Sequence, residues 1–270
     1  MNPTVSLSSK PILTGIFLVA ALSITSCAGT ISEGGKVEEE ARLVADQSTV
    51  DPEAYSLYLQ GHKILWDQGL SATARSFLAE SIRLDPNYAP TYADLAFAVL
   101  GGFTTSEESQ AASLALIEQA IALDAELPTA YVVLGILRTN QARWQEADDA
   151  FRHALSLAPN SRETNVELGW FLVRTGRLDQ AIEHMELGLQ LDPLSTHSYH
   201  SLASVYYYAR RYSDALAVIT RGLRLEPGNP HTEYTAAKIH LQMGNYEQAI
   251  NSFGGWDQIN NVFKGLLHVA

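Results

Sequence analysis

Cys27 is the only cysteine among 270 residues, so no intramolecular disulfide and no multi-cysteine zinc or iron–sulfur site can form within the chain. A lone thiol is left with three roles: inert, catalytic or modified. Histidines are the next candidates. His197 and His200 lie three apart, which places them on one face of a helix, and His231 follows further along. Such a spacing is able to bind a metal, but no acidic ligand accompanies it. The simpler reading is a polar wall, and no metal site is expected. Asp148-Asp149 and Glu183-His184-Met185-Glu186 read as solvated helix faces. The chain carries no Walker loop, dinucleotide fingerprint, HExxH motif or nucleophile elbow. No paired-carboxylate site can be argued either. Neither an enzyme nor a cofactor nor a small-molecule substrate is expected.

The surroundings of Cys27 decide its role. Residues 1–10 carry one basic side chain, Lys10, and no acid, and the run from Ile12 to Ile24 is uncharged. That run is shorter than the ~20 apolar residues a membrane span needs and fits the apolar region of a secretory signal. Ile24-Thr25-Ser26-Cys27, followed by Ala28, closes it. This resembles the bacterial lipoprotein signal, in which an aliphatic residue and two small residues precede the cysteine. The resemblance implies cleavage before Cys27 and acylation of its thiol and new amine. An ordinary secretory signal and an uncut signal anchor are the alternatives. Several acyl chains at ~0.8 kcal/mol per buried CH₂ give lasting attachment. Ala28 is not an aspartate, which in Gram-negative lipoproteins favours the outer membrane. The expected location is the bacterial cell envelope, on the periplasmic face of the outer membrane. Residues 1–26 are thus assigned as signal peptide and 27–50 as a lipidated, flexible tether. The tether includes the small, polar Ala28–Gly35 stretch and the Glu38-Glu39-Glu40 run, a composition that buries too little surface to order itself.

Overall composition narrows the rest. With 18 basic against 30 acidic side chains, the net charge is −12, which argues against a nucleic-acid partner. Apolar residues make up 46%, enough for a sizeable core.

Residues 51–258 are governed by a repeat. Leu155-Ser156-Leu157-Ala158-Pro159, Leu189-Gln190-Leu191-Asp192-Pro193 and Leu223-Arg224-Leu225-Glu226-Pro227 end alike at 34-residue intervals. Ile82-Arg83-Leu84-Asp85-Pro86 and Ile121-Ala122-Leu123-Asp124-Ala125 are earlier endings, with an insertion in the second unit. Gly135, Gly169 and Ala203 share one register, Ala147, Ala181, Ala215 and Ala249 another, and Phe151, Met185, Ile219 and Phe253 a third. Two amphipathic helices joined by a short turn produce this pattern, with proline separating the units. It resembles the tetratricopeptide repeat (TPR). The resemblance implies an all-α fold, a right-handed superhelical solenoid of about six helix pairs at 54–88, 89–127, 128–161, 162–195, 196–229 and 230–258. Residues 259–270, with Val262, Phe263, Leu266 and Leu267, read as an apolar terminal segment or cap after Gly254-Gly255.

In that family the first helix of each pair lines a concave groove. Carrying the offsets over places Tyr55, Tyr58 and Trp66 of the first unit and Phe97 of the second on that surface. Trp170 and Arg174 follow in the fourth unit, His197, His200, Tyr207 and Tyr208 in the fifth, and Tyr234 and Lys238 in the sixth. The charged clamp that some relatives use for peptide C-termini is missing, because Val132, Val166 and Trp170 occupy its positions. The groove is aromatic instead, and aromatic side chains are enriched at binding hot spots. The expected function is a membrane-anchored scaffold that binds protein or peptide segments, in envelope or pilus assembly. Tyr55-Ser56-Leu57-Tyr58-Leu59-Gln60-Gly61 and Asp85-Pro86-Asn87-Tyr88 also resemble the repeat regions of bacterial adenylate cyclases and CadC-like regulators. That resemblance implies the alternative, a sensory or regulatory module.

Overall fold

The computed structural model describes residues 50–69, 71–101 and 106–252. The proposed signal peptide, Cys27, nearly all of the tether and the apolar 259–270 segment lie outside them. Twelve α-helices and one π-helical turn make up the described residues, with no strand among them. The pairs are α1 (Pro52–Lys63) with α2 (Ala72–Leu84), α3 (Ala89–Leu100) with α4 (Glu107–Leu123), and α5 (Pro128–Asn140) with α6 (Trp144–Leu157). Then come α7 (Arg162–Arg174) with α8 (Leu178–Leu191), α9 (Thr196–Tyr208) with α10 (Tyr212–Leu225), and α11 (Pro230–Gln242) with α12 (Tyr246–Ser252). The first helices begin at 89, 128, 162, 196 and 230, the unit starts expected from the repeat. The fold is a superhelical TPR solenoid.

Local chemistry explains the helix boundaries. Pro128 and Pro230 sit in the first turns of α5 and α11, where the missing N–H has no intrahelical partner to lose. Ser161 and Ser195 cap α7 and α9 by accepting from backbone N–H groups. The turn between paired helices needs a left-handed residue. Gly176 and Gly244 supply it at φ 77°, while Ala142 and Arg210 adopt it at φ 56° and 59°. Downstream of that residue, Arg143, Arg177 and Arg211 donate to Glu146, Gln180 and Asp214 at 2.6, 2.8 and 2.7 Å.

The repeat's small and large registers meet inside each pair. A Cβ on Gly135 would come within 2.8 Å of Phe151, and one on Gly169 within 2.8 Å of Met185. These glycines allow the two helix axes to approach. Gly61 meets Leu78 in the same way, at 2.7 Å, but Leu78 lies one residue further along than the other pairs predict. The π-helical turn Ile64–Gln68 at the end of α1 absorbs that extra residue. Part of the second unit's insertion lengthens α4, which at 17 residues is the longest helix among the described residues.

Buried polar contacts tie successive units together. Ser81, which donates to the Ala54 carbonyl of its own unit at 2.7 Å, has its hydroxyl 3.3 Å from that of Thr91 in the second unit. Asn165, fully buried, donates to the carbonyls of Pro159 and Ser161 at 2.9 and 2.8 Å and hydrogen-bonds the His184 ring at 2.9 Å. Arg177 spans from the fourth unit to Asp148 in the third at 2.8 Å. The stack curves strongly enough that the π-helical turn of the first unit has Cα atoms within 8 Å of α9, four units on. The concave face is therefore narrow.

Candidate functional site

The first helices present the concave face, and its two ends differ. At the N-terminal end the aromatic side chains pack on each other. Tyr58 lies edge-on to the buried Tyr88 at 5.1 Å between ring centroids, and Tyr55 does the same at 5.9 Å. Trp66 stacks on Phe97 at 4.7 Å and 26°. Beneath them sits the carboxylate of Asp94, 1% exposed. It accepts from Trp66 Nε1 at 3.0 Å and pairs with His62 Nδ1 at 2.7 Å. Burial pushes the His62 pKa down, but the charge and hydrogen bond of Asp94 push it up further, and the net direction is up.

Trp66 corrects the sequence reading. At 5% exposure it is part of the core, not of an open groove wall. The π-helical turn changes the register of the last residues of α1, and the indole packs inward, where Asp94 satisfies its N–H. Phe97 is half-buried beneath the same stack. Val132 and Val166, two of the clamp positions, are likewise core residues at 0% and 2% exposure.

The middle of the face holds a shallow, open cleft lined by Ile136, Thr139, Asn140, Phe151, Glu167, Trp170, Phe171 and Arg174. Trp170 and Arg174, both named from the repeat offsets, line this cleft, and Arg174 donates to Asn140 at 3.4 Å. Glu167 was not among the expected residues. Burial pushes its carboxyl up to about 7, with Arg162 lowering it and Glu163 raising it by smaller amounts. A carboxylate one residue into the otherwise apolar 166–173 stretch was the available signal, since acidic side chains are seldom buried unless paired.

At the C-terminal end the aromatics are open. The ammonium of Lys238 lies 4.7 Å from the Tyr207 ring centroid, 5.3 Å from Tyr234 and 5.7 Å from Tyr208. Tyr208 and Tyr234 are 48% and 44% exposed. Burial lowers the Lys238 pKa, yet the three electron-rich ring faces favour the cation. Next to this cage, His197 and His200 have ring centroids 6.3 Å apart, and His200 and His231 5.9 Å. His200 shares a hydrogen bond with Thr235 at 2.9 Å. Burial, then Arg162 and His231, depress His197 to about 4. Burial, then His197, His231 and Lys238, depress His200 to about 3. Both rings are neutral at pH 7. Among the described residues no three His, Cys, Asp or Glu side chains are grouped to hold a metal ion, and no helix is long and apolar enough to cross a membrane.

Comparison with known proteins agrees with the fold. Residues 132–196 match the family model described as tetratricopeptide repeat. Residues 174–255 match that of anaphase-promoting complex, cyclosome, subunit 3. No curated protein matches the chain. Among solved structures, the APC/C hetero-tetramer Cut9–Hcn1 is similar at a TM-score of 0.58 and 17% identity. The match covers 82% of this chain but only 43% of that one. A thermophilic TPR protein of Thermus thermophilus matches at 0.58 and 16% identity, over 70% of this chain and 99% of its own. Pseudomonas aeruginosa pilF matches at 0.53 and 18% identity, over 79% and 97%. The repeat matches over residues 132–255 and these structural likenesses agree with the helix geometry in giving the described residues the TPR solenoid fold.

Proposed function

We propose that the protein is a lipid-anchored scaffold that captures an extended or helical segment of a partner protein on the central and C-terminal parts of its concave face. The observation that carries this reading is the cage of Tyr207, Tyr208 and Tyr234 around Lys238, two of whose rings are more than 40% exposed. Exposed aromatics beside a buried polar network supply contact area at low entropic cost, as hot spots do. The Trp170 cleft continues the same surface toward the middle of the solenoid. The N-terminal aromatics, already packed on one another, supply structure to this surface.

Anchoring follows the lipoprotein-like Ile24–Cys27 segment. Attachment through Cys27 would hold the solenoid at the periplasmic face of the outer membrane, available to an envelope or pilus assembly. Two experiments test the reading. Cys27→Ser should release the protein from the membrane fraction and end its labelling by palmitate; retention of both contradicts the anchor. A phage-displayed library of short segments, panned on the protein, should yield binders whose affinity falls about 10-fold or more in Tyr208→Ala/Tyr234→Ala. Binders indifferent to that change would move the site elsewhere.

A further inference from the structure

We propose that the cleft between α5 and α7 receives a basic side chain, lysine or arginine, of the captured segment, with Glu167 as its counter-ion and Trp170 as its aromatic wall. The inference rests on the concave face being the binding surface, as proposed above. Glu167 has no hydrogen-bond or ion-pair partner among the described residues, although it lines a cleft whose other walls include Ile136, Phe151 and Phe171. An anionic carboxyl in such surroundings is unfavourable unless a donor or a cation reaches it. A side-chain ammonium or guanidinium provides both, and an indole face beside it adds a cation–π contact.

The neighbouring charges leave that role open to a ligand. Arg162 is bound to Glu163 at 2.8 Å and lies 3.8 Å from Asp192. Arg138 of α5 is held by Glu146 and Gln141 at 3.4 and 2.8 Å. Arg174, two helical turns from Glu167 on the same helix, also lines the cleft and donates to Asn140. From α9, His197 lies near Arg162 and is neutral. From α1, His62 is tied to Asp94. From α8, His184 is bonded to Asn165, and its pKa is lowered by burial. The chain's net charge of −12 adds long-range attraction for a cationic segment.

Burial holds the Glu167 carboxyl at about 7 in the free protein, so a bound cation must displace its proton. Affinity should rise as pH increases through 7 and level off above it. The test pans the short-segment library on the full chain and on Glu167→Gln, then titrates selected peptides by Trp170 fluorescence. Binders to the parent should be enriched in Lys or Arg at one position, bind about 5- to 10-fold more tightly at pH 8 than at pH 6, and weaken about 10-fold when that residue becomes norleucine. Glu167→Gln should lose the enrichment and the pH dependence. Its own denaturation midpoint should exceed the parent's at pH 8 and match it near pH 4.5, which shows that it folds. Binders lacking a basic preference, or equal behaviour of the two proteins, overturn this inference and leave the concave-face reading standing. Absence of any binder sensitive to Trp170→Leu or Tyr208→Ala overturns both.

Discussion

The two ends of the concave face use the same residue types for opposite purposes. At the N-terminal end Trp66, Phe97, Tyr58 and Tyr88 stack against one another over a buried carboxylate. At the C-terminal end Tyr207, Tyr208 and Tyr234 surround a lysine, and Tyr208 and Tyr234 leave much of their ring surface to solvent. Aromatic content therefore does not distinguish a binding wall from a packed one. What distinguishes them is whether neighbours already supply each ring's contacts and each polar tip's partner.

The largest test of that contrast is truncation. Trp66→Ala should destabilise the first two units by about 3–5 kcal/mol, as removal of a packed aromatic does. Hydrogen exchange in α1 and α3 reads that loss directly. Tyr234→Ala should cost less than about 1 kcal/mol, because the ring is nearly half exposed. A large loss at Tyr234 would make the C-terminal cage structural too. Asp94→Asn comes next, at about 1–3 kcal/mol, since it leaves Trp66 and His62 without the charge that satisfies them. Denaturant titration would show it.

The ends should also respond to pH in opposite senses. His62 has a raised pKa in the folded state, so its contribution is fully present below the unfolded value of about 6.5 and is lost as pH rises through the folded value. His197 and His200, depressed to about 4 and 3, contribute no penalty above 6.5. Below it the unfolded state takes up protons that the native rings refuse, which lowers stability by roughly 2 kcal/mol per ring by pH 5. Exchange protection, corrected for intrinsic rates, should rise in α1 and fall in α9 on acidification from pH 8 to pH 5. Parallel changes in both helices would remove the electrostatic distinction.

Much of the solenoid was legible in the chain. Proline, small and large residues recur in fixed registers, and these are the residues whose sterics set helix starts and close approaches. Gly135 against Phe151 and Gly169 against Met185 show why the registers carry that information. The concave face was less legible. One residue rotates a helix by about 100°, so an extra residue in α1 sufficed to put Trp66 in the core. Assigning the face by fixed offsets also passed over Asp94 and Glu167 and landed on their neighbours Ala93 and Val166, which are core residues. Their roles depend on which side chains arrive from other units, information that no single unit contains.

The smallest expected effect is a control away from ligand contacts. Ala142→Gly and Arg210→Gly relieve non-glycine residues at φ 56° and 59° and should each stabilise by about 0.5–1 kcal/mol, read as a higher melting temperature. Binding by the tyrosine cage should not change.

Hydroxyl-radical footprinting of the aromatic side chains tests the central contrast most directly. In the free protein Tyr208 and Tyr234 should oxidise as readily as Trp144, which is 45% exposed on a second helix, while Trp66 and Tyr88 stay protected. A peptide selected for binding should then shield Tyr208, Tyr234 and Trp170 and leave Trp144 unchanged. Ready oxidation of Trp66, or shielding of Trp144 in place of the tyrosine cage, would contradict the account.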